Sequence, residues 1–257
     1  MGWRGCRQGR GAMTKRHLII RLEAPLVSFG GVAIDNYGFT RDFPARSMVA
    51  GLLGNALGLE RTDADKLQRL QDRLVIAARR DREGYIGVLR DNQNAKLEGN
   101  DKGWTTRGSV EGRGGGADTH KSPHRRFRDY HPDTLVILAL RLEPAEETPT
   151  LDDLVAALES PKRPLFIGRK PCLPSEPLIM REKGPIFVHA ATAGAALTLV
   201  PTLGDLKEAR AQWPYNEGPV GERAVNICDE RNWRSGLHGG TRRIVESRIH
   251  LPAREAS

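Results

Sequence analysis

Three features of the sequence predict a mixed α+β fold whose sheet is antiparallel. Short runs with period-two alternation, such as HLIIRLEA at 17–24, read as strands. Stretches with apolar residues at helical spacing lie between them. The two kinds follow the order β-α-(α)-β, a long insertion, then β-α-β. That is the split βαβ order of a ferredoxin-like (RRM-like) fold, with four antiparallel strands and helices on one face.

The first strand sets Leu18, Ile20 and Leu22 on one side, and APLVSFGG breaks it with proline and paired glycines. After Pro44, ARSMVAGLLGNALG aligns Met48, Val49, Leu52, Leu53, Ala56 and Leu57 along one helical stripe, and Gly58 supplies the stop. A second helix is predicted from Thr62, where Asp65 completes a capping-box pattern, burying Leu67 and Leu70. LVIAARR (74–80) is the second strand, and the near-continuous apolar run TLVILALRL (134–142) suits an interior strand. Thr150 opens another capped helix, with Leu151, Leu154, Val155 and Leu158 inward and Pro161 ending it. LFIGRK (165–170) reads as a short fourth strand or a strand-to-loop passage. About fifty residues, 84–133, separate the second and third strands, and insertions that long serve function or are disordered. The expected organisation is a disordered basic tail at 1–14, a main domain at 15–180, and a smaller strand-and-loop extension at 181–257 packed on the same domain.

A chain of 257 residues can bury a substantial core, and its net charge of +8 suits a polyanionic partner. Three of the cations, Arg4, Arg7 and Arg10, sit in the opening MGWRGCRQGRGA, which reads as an inert tail or an upstream start. No apolar run reaches the ~18 residues of a membrane span. Cys6, Cys172 and Cys228 are far apart, which suits a reduced, cytoplasmic setting without structural zinc.

Several chemistries are excluded by pattern. No Gly-Lys dipeptide exists for a Walker loop, and neither G-x-S-x-G nor H-E-x-x-H occurs. The strand aromatics that RNA-recognition modules use for stacking are missing. His120 and His124 lack a third ligand at useful spacing, with Pro123 between them. What remains is THKSPHRRFRDYHPD (119–133), where Lys121, Arg125, Arg126 and Arg128 fall within eight residues with no acid between them. Phosphate neutralisation needs such density, and Phe127 and Tyr130 can stack on bases. A solvated charged loop fits that composition equally. In RDFPARSM (41–48), Arg41, Arg46 and Ser47 stand at a helix start, a place suited to a phosphate. Gly168, Arg169 and Lys170 form a third basic candidate, with glycine permitting close approach of a ligand.

As an ordered set, RLEAPLVSFG, TRDFPARSMVAGLLGNALG, RRFRDYHPD and PTLDDLVAALESPKRPLFIGRKPC resemble the CasD family. This is the subunit of bacterial type I-E CRISPR Cascade complexes that holds the 5′ handle of the guide RNA. The resemblance covers residues 15–180, and more loosely the remainder. It implies a ferredoxin-like domain with a β-hairpin thumb inserted at about 84–128. The implied partners are the crRNA 5′ handle, the backbone subunit and the large subunit, with target DNA met through the complex and no membrane. By position it nominates Arg107, Lys121, Arg125, Arg126 and Arg128 on or beside the thumb. It likewise nominates Arg41, Arg46 and Ser47 at the helix start, and Gly168, Arg169 and Lys170 in the glycine-rich loop. It implies a non-catalytic grip, without cofactor or metal, that caps the backbone filament in antiviral defence. The alternative is the metal-independent endoribonuclease chemistry of type I-C relatives, with His120 and Lys121 joined by Tyr85 or Tyr130.

Overall fold

The computed structural model describes residues 14–31, 33–96, 98, 101–104, 109–111, 124–203 and 206–251. The expectations for Cys6 and the basic tail, Arg107, His120 and Lys121 lie outside the described residues.

The described elements are β1 (Lys15–Val27), β2 (Ala33–Ile34), β3 (Tyr37–Gly38), α1 (Arg46–Leu57), α2 (Ala64–Arg73) and β4 (Leu74–Arg82). Then come β5 (Leu89–Ala95), β6 (Gly103–Trp104), β7 (Val110–Glu111), β8 (His124–Leu142) and α3 (Leu151–Glu159). The chain continues with β9 (Phe187–Ala190), α4 (Ala193–Thr198), β10 (Glu208–Pro214), β11 (Arg223–Ile227) and β12 (Arg242–His250). The main sheet runs β11-β12-β10-β4-β8-β1-β9, and all of these pairings are antiparallel.

The alternation read from the sequence builds two cores. Leu18, Ile20 and Leu22 of β1 join Val136, Leu138 and Leu140 of β8 against α1 and α3. On the opposite face Ile19, Ile137 and Ala139 meet α4, Met180, Trp213 and Val245. Both faces of the central strands are therefore covered, and TLVILALRL is apolar at nearly every position for that reason. The face an RNA-recognition module would leave open is packed.

Two local expectations are corrected. Residues 165–170 make a turn, because Gly168 adopts φ +88 and its N–H bonds back to the Phe166 carbonyl at 3.1 Å. A Cβ there would stand 1.6 Å from the Ser28 carbonyl oxygen. The place beside β1 is taken instead by β9, with Lys15 opposite Ala190. The second correction concerns α2, whose N-cap is Asp63 rather than Thr62 and makes no side-chain cap bond. The Asp63 carboxylate accepts the Glu60 N–H at 2.9 Å and the Lys66 ammonium at 3.0 Å instead. The Thr150 cap forms as read, with reciprocal bonds to Asp153.

The sheet is also larger than four strands. Residues beyond 206 add β10, β12 and β11 to the β4 edge, with Ala211 opposite Arg79. Its central strand, β8, is 19 residues long, and only its second half was legible as a strand. The first half, rich in arginine, pairs with β5 from Leu89–Tyr130 to Ala95–His124.

Candidate nucleic-acid interface

The polar half of β8 organises the site. On one side it pairs with β5, and on the other Tyr37 and Gly38 of β3 run parallel to Phe127 and Arg128. The Phe127 N–H donates to the Asn36 carbonyl at 2.8 Å, locking the small β2–β3 hairpin onto the strand. Strand side chains alternate between faces. Arg125, Phe127 and Asp129 therefore share one face, while His124, Arg126, Arg128 and Tyr130 share the other.

On the first face three rings form a ladder. Phe127 stacks on Tyr37 with centroids 4.7 Å apart and planes 15° apart, and Tyr37 lies beside Phe39 at 6.0 Å and 9°. Tyr37 and Phe39 remain exposed, at 38% and 40%. The Arg90 guanidinium sits 5.7 Å from the Tyr37 centroid and 6.0 Å from that of Phe39. It is held there by the buried Asp129 carboxylate, which accepts two bonds from it at 2.7 and 3.0 Å. That bond holds the Asp129 carboxyl below the usual carboxylate range, assisted by the charges of Arg90, Arg169 and His131 and opposed by burial. Exposed Asn92 and Asn94 of β5 stand opposite Phe127 and Arg125. Rings, amides and guanidinium groups on one sheet face can stack on bases, hydrogen-bond their edges and neutralise phosphates.

On the second face, two of the sequence-nominated segments meet. Arg169 donates to the carbonyls of Asp129 at 2.9 Å and Gly38 at 2.8 Å, and its guanidinium lies 4.9 Å from the Tyr130 ring centroid. A Cβ on Gly38 would stand 3.0 Å from nitrogens of both Arg128 and Arg169, so the two guanidinium groups converge around that glycine. Tyr130 itself is 4% exposed beneath Arg169, which removes its ring as a base-stacking surface. Arg126 and Lys170 are exposed, and Arg125 is exposed on the ladder side.

The third nominated group stands apart. The expected phosphate position at the start of α1 is filled from within the chain. Buried Asp229 accepts the Arg46 N–H through its carboxylate at 3.0 Å and the Ser47 N–H through its carbonyl at 3.0 Å. The Arg46 side chain pairs with Glu230 and donates to the Asp72 carbonyl, while Arg41 donates to the Cys228 carbonyl. Ser47 is buried. The structure therefore unites Arg128 with Arg169, places Arg125 on the opposite face, and commits Arg41 and Arg46 to the 228–230 segment. Of the alternative cleavage set, Tyr85 is wholly exposed and Tyr130 is buried.

Sequence reading did not nominate Tyr37, Phe39, Arg90, Asn92 or Asn94. A signal was present for the first two, since Tyr37-Gly-Phe39 has the two-residue spacing that puts both rings on one face.

A family model described as CRISPR-associated protein (Cas_Cas5) matches residues 17–245. The CRISPR system Cascade subunit CasD of Escherichia coli (strain K12) is 29% identical over 166 residues, spanning 65% of this chain and 70% of that one. A chain from a solved CRISPR RNA-guided surveillance complex superposes with a TM-score of 0.65 at 21% identity, over 92% of this chain and 91% of that chain. A second solved structure, titled a Cas protein, gives 0.56 at 21% identity, over 93% of this chain and 100% of its own.

Proposed function

The chain belongs to the Cas5 family of CRISPR-associated proteins, and from that membership we propose that it is a non-catalytic RNA-binding subunit of a type I-E Cascade complex. In this reading it holds the 5′ handle of the crRNA, caps the backbone filament beside the large subunit, and works in the cytoplasm. The Escherichia coli relative carries the Cascade part of the reading, since it is the Cascade subunit CasD. The observation that carries RNA binding is the Phe127–Tyr37–Phe39 ladder with Arg90 fixed above it. The spatial order β9-β1-β8-β4 supports the ferredoxin-like part of this reading, and the β5–β8 pairing supports an inserted thumb. Among the described residues no helix is long and apolar enough to cross a membrane.

The test is binding of a repeat-derived 5′-handle RNA to the purified chain and to the chain assembled with its backbone subunit. Tyr37→Ala is expected to weaken binding about tenfold, because one base–ring stack contributes about 1–3 kcal/mol. Repeat RNA is expected to stay intact in EDTA. Specific cleavage abolished by His120→Ala would overturn the non-catalytic assignment, and unchanged affinity of Tyr37→Ala together with Phe127→Ala would overturn the ladder as the contact surface.

A further inference from the structure

A second cationic feature lies against the body of α1, lined by residues the hairpin does not use. An open cavity of about 420 Å³ is bordered by α1, Leu67 of α2, the turns at 30–31 and 166–168, the segment 59–61, and the loop 231–238. That volume falls within the ~300–1,000 Å³ typical of small-molecule sites. Its lining holds Arg61, Arg163, Arg231 and His238 against one acid, Glu60.

Arg231 is the informative residue. Its Nε is buried and has no hydrogen-bond partner, and its guanidinium lies 5.3 Å from the centroid of the half-buried Trp233 ring. Burial pushes its pKa down, and the neighbouring Arg61 charge pushes it the same way. Neighbouring acids are committed elsewhere: Glu230 to Arg46, and Asp229 to Arg242 and the start of α1. Glu60 is exposed and stands 3.9 Å from Arg163. A buried guanidinium nitrogen without an acceptor is costly, and an anion held at the accessible nitrogens of the same group offsets its charge and the repulsion from Arg61. The walls say what the anion carries. Met48, Leu52 and Phe166 are apolar, and Trp233 is fixed by its indole N–H to the Gln71 side-chain oxygen at 3.1 Å. An aromatic body attached to the anion would lie against them.

We propose that this cavity binds one nucleotide, its phosphate on Arg231 with Arg61 beside it and its base against Trp233 and Phe166. The proposal extends the RNA-binding reading to a second place on the chain. The turn that contributes Gly168 to the cavity also contributes Arg169 to the hairpin cradle, so one strand of RNA can meet both. The shared chemistry is a phosphate joined to a nucleobase, and its source is either a free nucleotide or the phosphorylated end of an RNA.

The experiment is calorimetric titration of the full chain with AMP, with adenosine, and with one short oligoribonucleotide bearing either a 5′-phosphate or a 5′-hydroxyl. AMP is expected to bind, adenosine to bind about tenfold more weakly or not at all, and Arg231→Gln to lose about tenfold of the AMP affinity. If the 5′-phosphorylated RNA loses its advantage over the 5′-hydroxyl form in Arg231→Gln, the occupant is an RNA end. A response confined to AMP identifies a free nucleotide. Either result upholds the site. Should Arg231→Gln fold poorly, Arg61→Gln, at an exposed position, carries the same comparison. The site is refuted if neither AMP nor the 5′-phosphate changes affinity between wild type and these variants at matched melting temperatures. Tyr37→Ala separates the two readings, since loss of oligonucleotide binding with AMP titration intact assigns the change to the ladder alone.

Discussion

At the scale of single residues, Asp129 shows how a buried carboxylate sets an exposed cation. Its bidentate bond aims Arg90 across two rings, and the same bond keeps its own carboxyl ionised well below neutrality. The ladder's geometry therefore does not change over the neutral range. His17 behaves differently. It is fully buried in β1 and its Nδ1 meets the Lys15 carbonyl at 2.9 Å. Burial, then the Arg141 charge, pushes its pKa down with the Lys15 charge adding to them, while the bond to the Lys15 carbonyl and the Glu217 charge act the other way. A depressed folded-state pKa means the unfolded chain takes up the proton first as pH falls. His17 then contributes stability above the ordinary imidazole value of about 6.5, and that contribution is lost on acidification through its folded pKa. The free energy of unfolding is expected to fall from about pH 7 to about pH 5, with a slope of at most about 1.4 kcal/mol per pH unit from this group, read by denaturant unfolding at each pH. His17→Leu should flatten that slope, and an identical slope in the variant would locate the pH dependence elsewhere.

At the scale of elements, α1 depends on a segment far from it in sequence. Its N-cap residue, Ala45, offers no side-chain bond, so Asp229 does the capping while also holding Arg242 through two bonds of 2.8 Å. Asp229→Ala strands a half-buried guanidinium and opens the helix start. The expected loss is about 3–5 kcal/mol in denaturant unfolding, with the first-turn amides of α1 exchanging faster. A loss under about 1 kcal/mol would mean the segment merely rests on the helix. This long-range cap also explains which elements could be read from sequence. The α1 stripe, the Thr150–Asp153 box and the alternation in β1, β4 and the apolar half of β8 are local patterns, and local patterns are visible in a single sequence. LFIGRK is apolar enough for a strand, but the left-handed Gly168 turns it. The true neighbour of β1, FVHA at 187–190, is four residues long and carries almost no periodic signal. Arg46 looked like a phosphate ligand because its partner, Glu230, lies 184 residues away. The basic stretch of β8 was legible as cations but not as a strand, because β5 and β3 stabilise it from outside.

At the scale of the whole molecule, the +8 charge is distributed unevenly between internal pairs and free surface. Arg79, Arg73 and Arg141 are buried and spent on carbonyls or carboxylates, whereas Arg125 and Arg126 stay exposed on opposite faces of the hairpin. RNA affinity is expected to fall steeply with salt, with log K losing about 0.7 per decade for each phosphate neutralised. Arg125→Gln combined with Arg126→Gln should make that slope shallower by about 1.4 if both meet phosphates. An unaltered slope would show that the two side chains face only water.

Those two faces are set by one short passage. Between the apolar and basic halves of β8 stand Pro132 and Asp133, the latter at φ +39, a conformation aspartate tolerates better than most residues. Strand parity passes through this elbow. One residue inserted or deleted there would leave the pairings from Thr134 to Leu140 with β1 untouched, shift Leu26 and Val27 against Pro132 and His131, and transpose every side chain beyond, sending Phe127 to the Arg169 side and Arg126 to the side of Tyr37. The number of residues in that passage, more than their identity, decides which side of the hairpin an oligonucleotide would meet.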